Sequence, residues 1–279
     1  MLTYINAGFG EPLSRDDLGL IKSLGYAGVR QDIPNARVAP ALVDNILSAD
    51  LRGIFVIPVE SEAVCQEAAH AVSARAVQLG LAGLSRVVVL EAGNEEDLPG
   101  KRWSRDPLGW ARLVADVAFI ARSHSHGLTV VSGGVSSLSR HAMGWLERSR
   151  VREIPAVEIG YHQYRSTPPS EPLDGYKSRE DEFRALGDAA GDQRVWMTEC
   201  GWHTAKRTSG HWPCKRTWAY TDEEVARFLK AEMSWNQGFG AECFVVYQLN
   251  DGPDPENDQD RFGIRREDGS LKPQSEVLA

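Results

Sequence analysis

Val87-Val88-Val89-Leu90-Glu91-Ala92-Gly93-Asn94-Glu95 and Arg194-Val195-Trp196-Met197-Thr198-Glu199-Cys200-Gly201-Trp202 decide how this chain is read. Each is a short β-like run that delivers a glutamate at its C-terminal end. Runs of the same kind recur at 3–8, 27–32, 54–59, 128–133, 156–161 and 243–248, which with 87–92 and 194–199 predicts eight strands. Helical periodicity fills the intervals. Ser14 caps a helix that stops at Gly25. Asp106-Pro107 supplies an N-cap and an N1 proline, and Ala111, Val114, Val117, Ala118 and Ala121 follow on one face. Thr221-Asp222-Glu223-Glu224 forms a capping box ahead of a Val225, Phe228, Leu229 stripe. Further helices are expected near 39–51, 61–82, 139–150 and 178–190.

Strands that alternate with helices pair in parallel through helical crossovers. An open doubly wound sheet would place a glycine-rich phosphate loop after its first strand, and Gly8-Phe9-Gly10-Glu11 is not one. The expected fold is therefore a closed (β/α)8 TIM barrel, one domain over 1–279. Such barrels need roughly 250 residues, and this chain has 279. Only a stub follows Pro273, so the last helix is expected to be short or missing, with part of the wall uncovered or covered by another chain.

A net charge of -8 gives no basic footprint for nucleic acid and no polybasic patch for a membrane surface. No apolar run is long enough for a transmembrane span. The start, Met1-Leu2-Thr3-Tyr4-Ile5, lacks the regions of a signal peptide. A cytoplasmic location is the default, with an extracellular one left open. Cys65 and Cys243 lie in apolar periodic segments and read as buried thiols; no disulfide framework is visible. The expected partner is a neutral carbohydrate bound by a monomer, without a cofactor or a catalytic metal.

The long connections, 93–106, 162–177, 200–220 and 249–272, all follow strands, and in barrels of this kind those loops build the active face. Glu95, Glu199, Arg30, His162, Tyr164 and Tyr247 lie at that end. Two carboxyl groups about 5–5.5 Å apart suit retaining glycoside hydrolysis, one as a proton donor and one as an ionised nucleophile. At that distance both cannot ionise cheaply. Arg30 and the Tyr164 hydroxyl favour the charged form of Glu199, and Glu95 keeps its proton. Trp103, Trp202, Trp212 and Tyr247 offer faces for sugar stacking.

Gly93-Asn94-Glu95 after a fourth strand and Thr198-Glu199-Cys200-Gly201-Trp202 after a seventh resemble clan A of the glycoside hydrolases, with families thirty-nine and five nearest. The resemblance extends over nearly the whole chain. It includes Leu24-Gly25-Tyr26-Ala27-Gly28-Val29-Arg30, His162-Gln163-Tyr164, and Phe262-Gly263-Ile264 with Asp268-Gly269-Ser270-Leu271-Lys272-Pro273. It implies a retaining β-glycosidase with Glu95 as acid/base and Glu199 as nucleophile. Arg30 and Tyr164 would support Glu199, and Asn94 would bind the 2-hydroxyl beside the scissile bond. The sequence departs from family five at the third strand, where Pro58-Val59-Glu60 replaces a common histidine, and at the eighth, where Tyr247 replaces a common tryptophan.

Other readings stand beside these. Glu91 reads as a buried partner for an arginine, and Arg30 alone also fits an ion pair with Asp32 or Glu60. His162 fits a structural as well as a substrate-binding histidine, and the four aromatics fit core caps or loop anchors. Cys200, His203, His211 and Cys214 have the spacing of a structural zinc site, and Cys200 and Cys214 also fit a disulfide. Asp254, Glu256, Asp258 and Asp260 form an acidic loop, either solvated or a calcium site. A non-catalytic glycan-binding or assembly module on the same barrel, and metal-assisted hydrolysis, are the rival functions.

Overall fold

The computed structural model describes residues 1–8, 10–80, 87–165, 167–205 and 220–276. Eight parallel strands close in sequence order: β1 (Leu2–Gly8), β2 (Gly28–Asp32), β3 (Arg52–Ile57), β4 (Val88–Ala92), β5 (Thr129–Ser132), β6 (Val157–Tyr164), β7 (Val195–Gly201) and β8 (Cys243–Tyr247), which pairs back to β1. Among the described residues, seven α-helices surround them: α1 (Arg15–Ser23), α2 (Ala39–Leu47), α3 (Glu62–Gln78), α4 (Pro107–His124), α5 (Arg140–Ser149), α6 (Arg179–Ala190) and α7 (Asp222–Phe239). This is the expected (β/α)8 barrel. No described helix is long and apolar enough to cross a membrane.

The caps sit where the sequence puts them. Ser14 and Asp106 accept from the backbone N–H groups of Asp17 and Gly109, and Thr221 and Glu224 form a reciprocal capping box. Two strands run further than their apolar patterns. β6 continues to Tyr164 and β7 to Gly201. His162, Tyr164 and Glu199 therefore stand on paired strand backbone, not on loops.

Alternation along the strands separates two cores. Outward residues pack under the helices. Inward residues Tyr4, Ile54, Val89, Val131, Trp196, Cys243 and Val245 fill the barrel. Nearer the C-terminal ends, the barrel strands present Asn6, Arg30, Glu91, His162 and Tyr247 inward. The apolar plug thus forms the floor of a polar mouth.

Among the described residues, no α-helix follows β8. Residues 248–276 instead cross the gap between α7 and α1 and cover it with the chain itself. Arg265 bonds Asp17 on α1, Arg266 bonds Asp222 at the start of α7, and a 3-10 turn at Pro273–Glu276 packs on α7. Lys272 is buried here with its Nζ 2.7 Å from Asp251.

Between β6, α6 and α7 the wall is ionic. Arg165 reaches Glu182 at 2.8 Å, Arg179 bridges Glu182 and Glu232, and the Tyr161 hydroxyl meets Asn236. Glu182 also accepts from the Leu173 N–H, which ties down the loop after Tyr164. Removing one partner from such a buried set strands a charge. Glu182→Ala is accordingly expected to lower stability by about 3–5 kcal/mol, measured as an earlier urea unfolding midpoint. An unchanged midpoint would show that the network does not hold this wall together.

Candidate active site

The β4 backbone stops at Ala92 and turns. Gly93 has φ +91°, and a Cβ there would meet Val59 at 3.0 Å and Trp110 at 3.2 Å. Glu95 is itself in the left-handed region, φ 56°, which non-glycine residues occupy only when their surroundings impose it. The constraint is visible: the Glu95 N–H donates to the Gly134 carbonyl at 2.9 Å. Glu95 thus stands three residues beyond its strand, swung over the mouth, with Glu91 in the layer beneath.

Glu199 reaches the mouth by a different device. Val195, Met197 and Cys200 belong to the outer core and Trp196 to the inner one. Strict alternation would send Glu199 outward with Val195 and Met197. The register against β6 shifts between the pairs Tyr161–Met197 and His162–Glu199, which leaves Thr198 as the extra residue of a β-bulge. The bulge turns Glu199 inward beside His162.

Glu199 then accepts three hydrogen bonds: from Asn6 Nδ2 at 3.2 Å, from Arg30 Nη1 and from the Tyr164 hydroxyl. Burial and the Glu199 charge keep the Tyr164 hydroxyl protonated, so it donates. Arg30 is fully buried and also bonds Glu91 through Nε at 2.6 Å and Asn94 Oδ1 through Nη2 at 2.8 Å. Burial alone would raise the Glu91 carboxyl, but Arg30 and His162 overcome it and hold it down to about 2.

His162 lies between the acids, with Nδ1 3.0 Å from Glu95 and 3.6 Å from Glu199 and Nε2 3.9 Å from Glu91. Burial opposes its charge, yet Glu199, Glu91 and Glu95 push its pKa up to about 10. The three carboxylates favour its protonated form. Burial raises the Glu95 carboxyl, Glu199 adds to that, and His162 pulls against both. Glu95, His162 and Glu199 each bring one ligand atom within 4.8 Å of the others, a grouping that also suits a cation.

A pocket of about 220 Å³ lies over this set, lined by Asn94, Glu95, Tyr164, Glu199 and Tyr247 and by Asn6, Asp32, Gln259 and Phe262. Tyr164, Tyr247 and Phe262 meet edge to face at 5.5–5.7 Å. Arg30, Asn94, Tyr164 and Tyr247 are thus gathered at the two glutamates as expected. His162 is gathered too, but fully buried against the acids and not in the pocket wall. Trp202 is a correction. It is 1% exposed, packs on Phe228, and donates its indole N–H to the Thr167 carbonyl, so it presents no face for sugar. Trp103 is half-buried, tied to the Val59 carbonyl at 2.8 Å, and has the Arg102 guanidinium over its ring; it anchors its loop. Trp212, His211 and Cys214 lie outside the described residues. Cys200 is a free thiol buried in the outer core. Asp254 and Asp260 accept from backbone N–H groups of their own loop.

The sequence does not single out Asn6 or the Gly133-Gly134 pair, and it offers Asp32 only as an ion-pair partner for Arg30. A Cβ on Gly134 would fall 2.3 Å from the His162 ring, and one on Gly133 2.6 Å from the Gly93 backbone. A polar residue after inward Tyr4 was the available signal for Asn6, the same signal that exposes Arg30.

Solved structures share this fold. A glucosidase from Croceicoccus marinus matches 98% of this chain and 65% of its own, with TM-score 0.69 and 16% identity. The GH39 enzyme from Xanthomonas axonopodis pv. citri matches 99% and 64%, with TM-score 0.69 and 13% identity. The endoglucanase Cel5A from the hyperthermophilic Thermotoga maritima matches 100% and 97%, with TM-score 0.64 and 13% identity. The chain spans about two thirds of the length of the first two. No protein-family model and no curated protein matches the sequence. At these identities the likeness is one of fold, and both families that the strand-end motifs resemble are represented in it.

Proposed function

We propose that this chain is a retaining β-glycoside hydrolase that acts within β-linked poly- or oligosaccharides. The observation that carries the reading is the approach of Glu95 and Glu199 to within 4.8 Å. Retaining pairs stand about 5–5.5 Å apart, whereas inverting pairs keep about 6.5–9.5 Å to admit a water. The names of the structural neighbours, a glucosidase and an endoglucanase among them, agree with this chemistry.

In the first step Glu199 attacks the anomeric carbon, the bond to the leaving oxygen breaks, and Glu95 gives that oxygen its proton. In the second, water attacks the glycosyl ester, Glu95 takes the water's proton, and Glu199 leaves as carboxylate. Asn6, Arg30 and Tyr164 orient Glu199 as acceptor-only, the form a nucleophile needs. The raised Glu95 carboxyl retains the proton it must donate. Beyond Asn6, Tyr247 and Gln259 the pocket opens into a hollow of about 470 Å³, so the glycone end is not walled off and a chain can continue past the cleaved sugar.

Glu199→Gln and Glu95→Gln are each expected to reduce hydrolysis of β-glycan oligosaccharides by about 10³-fold or more. Near-normal hydrolysis by either variant would remove its residue from the mechanism. With Glu95→Ala, azide is expected to restore turnover and yield the β-glycosyl azide; an α-glycosyl azide would mean direct displacement in the space of the removed carboxylate and would take the acid/base role from Glu95. The pH profile gives a separate check. Because the Glu95 carboxyl is raised, kcat/KM should fall on the alkaline side as it loses its proton, while His162 stays charged to about pH 10. A 2,4-dinitrophenyl glycoside needs no protonation on departure, so its alkaline fall should flatten. An identical fall for both substrates would assign that limb to another group.

A further inference from the structure

A second cleft opens from the pocket at a different place. It holds about 400 Å³, against about 220 Å³ for the pocket over the glutamates, and Asp32 and Asn94 line both. Neither Glu95 nor Glu199 lines it. The leaving group departs over Glu95, so this cleft is reached from the sugar that is attacked. The 470 Å³ hollow beyond Tyr247 is also reached from there, at the far side. Two hollows therefore lead away from one glycone position.

The side cleft lies where β3 ends, with Val56, Ile57, Pro58 and Val59 in its wall, and where Gly93 turns the next strand's end aside. Its lining alternates what a sugar ring requires. Pro58 gives a non-polar face for ring C–H groups. Lys101 and Arg102 supply donors, and Glu60 and Asp32 supply acceptors. Asp32 is the informative member. Its side chain is half-buried and lines both spaces, and burial pushes its pKa up to about 6 against the pull of Arg30. A carboxylate that faces both spaces is placed to accept from sugar hydroxyls. Asn94 beside it is held by the same guanidinium that holds Glu199. The cleft therefore leaves the glycone next to the attacked carbon.

Resting on the hydrolase reading, we propose that the side cleft is a subsite for a second sugar carried on the 2- or 3-hydroxyl of the cleaved residue, so that the preferred substrates are glycans branched or bent at that residue. Asp32 is the specificity residue that accepts from its hydroxyls.

The test uses three 4-nitrophenyl β-disaccharides: the sophoroside, laminaribioside and cellobioside, which place the second glucose on the 2-, 3- and 4-hydroxyl. The sophoroside or laminaribioside should be cleaved with kcat/KM at least equal to that of the cellobioside. Pro58→Trp, which fills the cleft, should lower that ratio about tenfold or more. Glu60→Trp, at an exposed position, repeats the test if the first variant folds poorly. Calorimetry of Glu199→Gln with free sophorose, laminaribiose and cellobiose decides the cleft without turnover: tighter binding of either of the first two, abolished by Asp32→Ala, supports it. Preference for the cellobioside with a ratio unmoved by either tryptophan overturns the side cleft and leaves the hydrolase reading intact. Binding without turnover overturns the hydrolase reading alone. Neither binding nor turnover across the set overturns both.

Discussion

One buried guanidinium organises this protein. Arg30 cannot be buried uncompensated, and its fork is met by Glu91 below, Glu199 across the barrel and Asn94 beside Glu95. Four strand ends, β1, β2, β4 and β7, are tied together through it and Asn6. His162 adds a second cation to the same set, so two positive groups stand among Glu91, Glu95 and Glu199. A neutral Glu95 keeps a further negative charge out of that set.

The frame beneath that set was legible in the sequence because it follows from rules of period and capping. Eight apolar runs and their caps were enough to reach the barrel. Arg30 and Glu91 were legible for the same reason, as charged residues at inward positions one step above apolar ones. The geometry of Glu95 and Glu199 was not. A left-handed turn at Glu95 depends on the Gly134 carbonyl, which comes from another strand. The bulge at Thr198 depends on pairing with β6. Neither leaves a mark in its own segment.

The aromatics teach the complementary lesson. Trp202 and Tyr247 both follow strand tips, and both suit a sugar platform by type. Only Tyr247 sits at an inward position, paired with Asn6, and lines the pocket. Trp202 comes after the strand has turned away, and the apolar contact with Phe228 wins. Asp32 is legible in sequence only as an ion-pair partner for Arg30. An aspartate at a strand end is ordinary in sequence, and only the empty space on both sides of it gives it a role.

The extra residue at Thr198 also separates two kinds of selection within one strand. Below it, Val195, Trp196 and Met197 answer to the packing of wall and plug. Above it, the count restarts, and Glu199 and Cys200 answer to the mouth and to the layer behind it. The strand therefore works as two segments joined by a phase shift.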